Sequence, residues 1–515
     1  MTRPGGSSPD RSFDLLVVGG GINGVGIARD AAGRGLSVLL CEQHDLASHT
    51  SSASTKLIHG GLRYLEFYHF GLVRKALKER ELLLGAAPHI MYPLRFVMPH
   101  DAHLRPAWMI RIGLFLYDHL ARRRMLPASA SVDFQKHPAG AALDPKFRRG
   151  FVYSDGWVDD ARLVVLNALD ASERGAVVRT HTRCTRLERD GKSWRATLQS
   201  SAGAIEQVFA RAVVNAAGPW AARFLNEATP GRSDHELRLV KGSHIIVSRL
   251  FDHDFAYICQ APDRRIVFAI PYERDFTLIG TTDIDYLGAP ENVQIDADET
   301  RYLCDLANRY FRQQISPADV VTSYSGVRPL LEDESADARS TTRDYALELS
   351  DDAAPLLTVF GGKITTYRVL AEEAVNRLAP LLGVSAKAWT ATAPLPGGDI
   401  ENQDFHAFEA ELARRHAWLP APLRHRYARA YGTRIERLLA GATRLADLGA
   451  EIAPQLHQRE LEYLWRVEWA RSAEDVLWRR TKLGLHVAGS AAQAVQQWLD
   501  AQTEPDLPPD SRDHA

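Results

Sequence analysis

Residues 13–42 read FDLLVVGGGINGVGIARDAAGRGLSVLLCE. The apolar run Phe13–Val18 stops at three glycines. A small-residue helical pattern follows, and after Gly35 a second apolar run, Leu36–Cys41, closes at Glu42. Strand, tight turn, helix and second strand in that order predict a parallel βαβ unit. Gly19, Gly21 and Gly24 have G-x-G-x-x-G spacing, and Glu42 stands close to the ~20-residue distance at which an acid accepts from the ribose diol of a bound dinucleotide. Each glycine has a separate reason: Gly19 permits the turn, Gly21 lets a pyrophosphate approach the backbone, and Gly24 lets the helix lie close to the strand. Asn23 sits inside this turn, where a helix N-terminus offers unpaired N–H groups and the positive end of its dipole to phosphate. An acid at position 42 disfavours a ribose carrying a 2′-phosphate, so NAD or FAD is expected ahead of NADP.

Outside this stretch, composition sets broad bounds. A chain of 515 residues has room for two or three domains. With 45% hydrophobic and 24% charged residues it reads as an ordinary globular protein. A net charge of −2 supplies no basic field for nucleic acid. The four cysteines, Cys41, Cys184, Cys259 and Cys304, form no C-x-x-C pair. That pattern suits a reducing compartment and offers no zinc or iron–sulfur motif. The opening MTRPGGSSPDRS has no apolar signal region, and residues 501–515 are polar and Pro-rich. Residues 1–12 and 501–515 are therefore expected to be a disordered extension and tail. No run approaches the ~18 apolar residues needed to cross a bilayer, so a cytoplasmic location is expected.

Strand-like runs recur at Ala176–Arg179, Trp194–Leu198, Gln207–Ala210 and Ala212–Gly218. Others follow at His244–Val247, Arg265–Ile270, Thr277–Gly280 and Pro355–Phe360. Helical spacing marks Val73–Leu84, Thr365–Leu378 and most of 400–500. The strand-plus-glycine elements at 13–24, 212–218 and 355–363 are far apart in the chain, yet one extended cofactor touching all three explains why each strand ends in glycine. An NAD dehydrogenase more often keeps its second mononucleotide unit adjacent, so the interruption favours FAD. The expected fold class is α/β. A discontinuous Rossmann-like FAD-binding domain (13–85, 150–235 and 355–385) carries an inserted, mainly antiparallel α+β substrate domain (86–149 and 236–354). A helical C-terminal domain (395–500) follows.

The chain resembles the FAD-dependent, respiratory (aerobic) glycerol-3-phosphate dehydrogenase family. The residues that carry the resemblance are GGGINGVGIARDAAGRG at 19–35, TSSASTKLIHGGLRYLE at 50–66, YSDGWVDDARL at 153–163 and VKGSHIIV at 240–247. To these add IGTTDIDY at 279–286, YSGVRPLLEDES at 324–335, TTRDY at 341–345 and FGGKITTYR at 360–368. It extends from about residue 13 to 500. It implies oxidation of sn-glycerol 3-phosphate to dihydroxyacetone phosphate, hydride transfer to non-covalently held FAD, and onward passage of electrons to a membrane quinone. The expected partners are therefore glycerol 3-phosphate, the quinone, the inner face of the cytoplasmic membrane and a second copy of the chain as a homodimer.

A phosphate monoester calls for directed cationic donors, and arginine supplies them in a planar pair. The resemblance places Arg63, Tyr64, Arg328 and Arg343 around the substrate; the competing reading is surface arginines paired with local acids, such as Asp344 beside Arg343. Alcohol oxidation also needs a base for the hydroxyl proton, and histidine has a suitable pKa. His59 and His244 both adjoin motif glycines. His244 is preferred as the catalytic base by family analogy, and His59 is assigned to the flavin. Gly361, Gly362 and Lys363 open a helix whose positive end favours an anionic reduced flavin, with Lys363 adding charge there or binding substrate oxygens. Gly60 and Gly61 are assigned to close approach of backbone to the flavin ring, Gly218 to the dinucleotide, and Ser51 and Ser52 to its phosphates. The segment Leu104–Arg124, with Trp108, Met109, Ile112, Leu114, Phe115 and Leu116 among arginines, reads as a membrane contact or as a core helix with a basic face.

Rival readings are a glycerol-3-phosphate oxidase that uses oxygen, an amine or amino-acid oxidase on the same fold, and a flavin-binding scaffold acting on RNA. The several arginines favour phosphate over a carboxylate clamp, and the near-neutral charge argues against RNA.

Overall fold

The structure is a computed structural model that describes residues 11–101, 105–229, 237–261, 263, 265–331, 345–351 and 353–502. Residues 1–10 of the expected extension and 503–515 of the expected tail lie outside these residues; Arg11 and Ser12 already belong to the first strand, Arg11–Val18, because they pair with Val208 and Phe209. The chain divides into two compact units. The first takes Met1–Ser51, Ala161–Glu236 and Tyr345–Ala515; the second takes Ser52–Asp160 and Leu237–Asp344.

The first unit is built on a sheet whose main path runs Ala346–Ser350, Leu356–Phe360, Ile205–Asn215, Arg11–Val18, Val38–Cys41 and Val177–Arg179. All neighbours on this path are parallel except the first pair. Parallel strands covered on both faces read as unbroken apolar runs, and Leu15–Val18 and Val38–Cys41 are buried throughout. The register brings the strand ends together: Val18 lies beside Asn215 and Cys41, and Asn215 beside Thr358. The strand order reverses between Arg11–Val18 and Ile205–Asn215, which is the switch point where open α/β sheets bind ligands.

The helix Ile22–Gly33 packs on the helix Tyr367–Leu382. Its small residues are what let it do so. A Cβ on Gly26 would stand 2.9 Å from the Tyr367 ring, and one on Gly33 would stand 2.2 Å from that of Trp389.

The two strands expected at Gln207–Ala210 and Ala212–Gly218 form one strand, Ile205–Asn215. It pairs antiparallel with Ser193–Ser200 over its first half and parallel with Arg11–Val18 from Val208 onward, so nothing breaks it at Arg211.

The expected domain limits also shift. Residues 52–85 and 150–160 belong to the second unit, because Leu57–Ile58 pairs with Arg149–Val158, which pairs in turn with Met91–Pro99. Ala346–Ser350 belongs to the first unit through its pairing with Leu356–Phe360.

The second unit is a ten-stranded, mainly antiparallel sheet among the described residues. Its longest pairing joins Leu237–Ser248 to Val320–Leu331. The helix Ala297–Tyr310 begins with a capping box in which Asp296 and Glu299 exchange side-chain and backbone hydrogen bonds.

The helical segment after residue 400 has its own core, including Leu412, Leu423, Tyr427, Leu461, Leu464, Val476 and Val495. It groups with the parallel sheet because buried ion pairs join them. Arg480 donates to both Asp45 oxygens at 2.7 and 2.8 Å, Arg479 donates to Asp45 at 2.6 Å, and Arg162 pairs with Glu468. Asp45 and Arg480 are almost wholly buried. Removing one partner of such a cluster strands the others without water, a loss of roughly 3–5 kcal/mol. Asp45→Ala is therefore expected to destabilise the protein by roughly 3–5 kcal/mol in thermal or urea unfolding; a loss below about 1 kcal/mol would mean the arginines find other partners.

Candidate active site

In the first unit the predicted dinucleotide residues gather where the three parallel strands end. Gly19 has φ +113°, and a Cβ there would stand 2.5 Å from the Ala216 carbonyl oxygen. A Cβ on Gly24 would stand 1.9 Å from the Gly19 carbonyl oxygen. These two positions cannot carry a side chain without parting the helix from the sheet. Gly21 caps the helix with no side-chain hydrogen bond, and Ser51 Oγ accepts from the Ile22 N–H at 3.0 Å. Ser51 thus sits at the helix N-terminus with its own hydroxyl hydrogen left to donate.

Glu42 Oε2 accepts from the Gly20 N–H at 2.7 Å and Oε1 from the His44 N–H at 2.9 Å. Each oxygen keeps a lone pair for a ribose hydroxyl. Burial pushes this carboxyl up in pKa, and the two N–H groups oppose that.

Asn23 Nδ2 donates to the Gly361 carbonyl at 3.1 Å, joining the first glycine turn to the third. Gly218, Gly361 and Gly362 all have positive φ. Lys363 is half-buried and precedes the short helix Ile364–Thr366, which runs into Tyr367–Leu382.

In the second unit, side-chain alternation along paired strands places Gly242 and His244 on one face of the sheet with Tyr324, Gly326 and Arg328. The His244 and Tyr324 rings stack at 4.7 Å. His244 also pairs with Gly280, where a Cβ would stand 2.1 Å from the imidazole. Arg328 donates to Asp283 at 3.0 Å and to Thr281 at 3.2 Å, and a Cβ on Gly242 would strike its guanidinium at 2.6 Å. The two glycines clear the space that the imidazole and the guanidinium occupy.

On the opposite face Ser243 and Lys241 turn to Glu299. The Glu299 carboxylate accepts from Ser243, Thr282 and Lys241 at 2.9, 2.7 and 2.7 Å. His244 is 1% exposed, and burial, with the Arg328 and Lys56 charges, holds its pKa well below the usual histidine value. Lys56 is itself buried against Asp160 at 2.8 Å.

The segment 50–66 divides between the units. Ser52, the residue after Ser51, begins the second unit and accepts from Lys56 Nζ through its carbonyl. Gly60 N–H donates to the Tyr117 hydroxyl at 2.8 Å, and a Cβ there would strike Leu77 at 2.4 Å. Gly61 has φ +73° and lies against the Tyr64 ring. Internal packing alone thus requires glycine at both positions. His59, Arg63 and Tyr64 are half-buried, and Arg63 makes no ion pair or hydrogen bond to a described residue. Arg343 lies outside the described residues.

Residue-level reading of the sequence missed Thr55, Lys56, Asp160, Thr281, Asp283, Glu299 and Tyr324. All but Glu299 lie inside the quoted motifs, so the signal was proximity to residues already singled out.

The glycine turns, the helix N-terminus and the ribose acid at a switch point define a dinucleotide-binding oxidoreductase. Comparison with known proteins specifies the class. Residues 14–368 match the FAD-dependent oxidoreductase family, and residues 388–504 match the C-terminal domain of alpha-glycerophosphate oxidase. A glycerol-3-phosphate dehydrogenase of Pseudomonas aeruginosa is 56% identical over 492 residues, covering 95% of each chain. A D-erythritol 1-phosphate dehydrogenase of Brucella abortus is 48% identical over 489 residues, covering 95% of this chain and 97% of the other. The crystal structure of the glycerol-3-phosphate dehydrogenase from Bacillus halodurans complexed with FAD superposes with a TM-score of 0.76 at 28% identity, covering 95% of this chain and 90% of that one. The chain belongs to the family of FAD-dependent glycerol-3-phosphate dehydrogenases. Its residues fit the cofactor: the cradle at Gly19 and Gly24 has no room for a Cβ, the helix N-terminus has no side-chain cap of its own, and Glu42 retains free lone pairs.

The neutral state of His244 has a consequence for acid stability. Its folded pKa is depressed, whereas the unfolded chain takes up the proton near the ordinary value of 6.5. Below that value the unfolded state binds more protons, so stability falls as pH falls through 6.5 and the loss continues toward the folded pKa. His244→Gln removes this component. The stability of the wild type relative to the variant is expected to shrink between about pH 7 and about pH 5.5, read as the difference in thermal midpoint. A difference independent of pH would show that His244 keeps an ordinary pKa.

Proposed function

We propose that the protein oxidises sn-glycerol 3-phosphate to dihydroxyacetone phosphate. The observation that carries this reading is the single face of the antiparallel sheet that presents Arg328 beside a neutral, buried His244, with Gly242 and Gly280 clearing the space around them. Arg328, held in place by Asp283 and Thr281, and Arg63, which has no partner among the described residues, are the donors proposed for the phosphate, with Tyr64 beside them. His244 is the proposed acceptor of the hydroxyl proton. Bound FAD supplies the hydride acceptor. In the first unit Glu42 is proposed to hold the ribose, Ser51 and the backbone at Gly21 the pyrophosphate, and Gly361, Gly362 and Lys363 the flavin end.

The 48% identical Brucella abortus relative is named for a longer polyol phosphate, so the substrate comparison has to include one. Bleaching of the flavin by glycerol 3-phosphate under anaerobic conditions, far faster than by D-erythritol 1-phosphate, glycerol or amino acids, is the expected result. Arg328→Ala is expected to lower kcat/KM for glycerol 3-phosphate at least tenfold, about the loss of one charge-assisted hydrogen bond. An unchanged value removes Arg328 from the site.

For the electron acceptor we infer a membrane quinone, reached by peripheral association with the inner face of the cytoplasmic membrane. Support comes from the helix Ala107–His119, which leaves Trp108, Ile112 and Phe115 more than half exposed, at 63, 52 and 53%. Met109 and Leu116 add to the same apolar surface, and Arg105, Arg122 and Arg124 lie exposed at either end of the helix. No helix among the described residues is long and apolar enough to cross a membrane. Changing Arg122, Arg123 and Arg124 together to Glu is expected to release the protein from anionic vesicles; retained binding would count against this surface. The match of residues 388–504 to an oxidase domain favours oxygen as the second reading. Reoxidation of the reduced enzyme by a soluble quinone analogue, compared with oxygen, decides between the two.

A further inference from the structure

His244 is 1% exposed, so a substrate hydroxyl has no surface of the imidazole to touch. One ring face stacks on Tyr324, and the Gly280 backbone lies against Cδ2. Nδ1 is buried without a hydrogen-bond partner among the described residues. Nε2 has one neighbour, the hydroxyl of Thr55 at 2.9 Å. Thr55 is only half-buried, so it is the polar group that links the closed imidazole to the outside.

We propose that Thr55 is a catalytic residue that relays the substrate's hydroxyl proton to His244. The proposal rests on the alcohol oxidation described above. As the substrate C–H bond breaks, its electron pair leaves as hydride and the carbonyl forms; bound FAD would supply the hydride acceptor. The substrate O–H proton moves to Thr55 Oγ1, and the proton already on Oγ1 moves to His244 Nε2. Threonine ends as it began. The alcohol loses two electrons with the hydride, for which bound FAD would be the two-electron acceptor, and the imidazole holds the proton.

The surroundings support this route. Arg328 and Tyr324 face the imidazole from the strand Val320–Leu331. Lys56 faces it from the segment that carries Thr55 and is paired with Asp160 behind. The Tyr324 hydroxyl donates to the Ser54 carbonyl at 2.8 Å, and Lys56 Nζ lies 5.0 Å from the Tyr324 ring centre. These contacts fix the backbone on both sides of Thr55, and with it the Thr55–His244 geometry. Both cations oppose an imidazolium. A phosphate dianion held by Arg328 would offset one of them, so the imidazole gains basicity when the substrate is in place.

The test is anaerobic stopped-flow reduction of the holoenzyme by glycerol 3-phosphate, comparing wild type, Thr55→Val, Thr55→Ser and His244→Gln, with proton inventories in mixed light and heavy water. Thr55→Val keeps the shape and loses the hydroxyl. It is expected to slow reduction about a hundredfold or more, the scale of general-base catalysis, with the flavin spectrum and the substrate dependence of reduction nearly unchanged. Thr55→Ser is expected to recover most of the rate, and the wild-type inventory is expected to bow downward because two protons move together. A wild-type rate in Thr55→Val with a slow His244→Gln would overturn the relay and make His244 act directly. Wild-type rates in both variants would overturn the base assignment and the relay with it. If Thr55→Val fails to fold or to hold flavin, the inventories of wild type and Thr55→Ser still decide, and a linear wild-type inventory rejects the relay.

Discussion

A methyl group at residue 24 would lie 1.9 Å from the Gly19 carbonyl oxygen, and one at residue 19 would lie 2.5 Å from that of Ala216. This double contact brings the first helix, the first strand and the central parallel strand to one point. The consequences extend along the sheet. Because Val18, Asn215 and Thr358 share a register, the glycine turns that follow them open at the same edge. Asn23 then closes the assembly by donating to Gly361 from 338 residues away. Gly21, at the N-cap of the helix, brings no side chain of its own to that end, and a dinucleotide phosphate is the group that such an end attracts.

The second unit uses glycine for the opposite purpose. At Gly242 and Gly280 the missing side chain makes room for a charged or aromatic neighbour on the same sheet face rather than for another backbone. Alternation divides the labour of one strand. Gly242 and His244 face the proposed chemistry, whereas Lys241 and Ser243 turn to Glu299 on the helix behind. A one-residue slip in this pairing would exchange the two sets and put the lysine on the face where the histidine stands. The buried Glu299 network makes that slip costly, because it would strand a carboxylate that now has three donors.

The sequence was most legible where local pattern and global fold demand the same residues. The 13–42 stretch is an example: its apolar runs, glycines and terminal acid lie within thirty residues of one another, and the close contact with Ala216 demands the same glycine at position 19 that the local turn does. The interruption of the nucleotide fold was legible because each returning strand ends in glycine. The domain limits were not. The placement of Leu57–Ile58 depends on pairing with Arg149–Val158, a partner about a hundred residues away that no local pattern announces. The candidate site was legible where a residue type is chemically conspicuous, as with Arg328 and His244. Thr55 was passed over because a threonine in a serine-rich loop is unremarkable until the fold places its hydroxyl 2.9 Å from a buried imidazole. Gly60 and Gly61 have a reason for glycine that no local pattern announces, since Leu77, Tyr117 and Tyr64 fill the space around them.

One buried ion pair lies where the backbone passes from one unit to the other. The crossings after Ser51 and after Asp160 are held together by Asp160, whose carboxylate accepts from Lys56 Nζ, from the Ser54 hydroxyl and from the Ser54 N–H. Such a pair contributes little net stability over an apolar replacement of the same shape. What it contributes is position, since a fully satisfied buried carboxylate tolerates only the geometry that satisfies it. That geometry fixes Ser54 and Lys56, and Thr55 lies between them. The one threonine that touches His244 is thereby held by a framework whose cost is justified only if its position matters, and a loop that merely linked two units would need no buried aspartate to hold it.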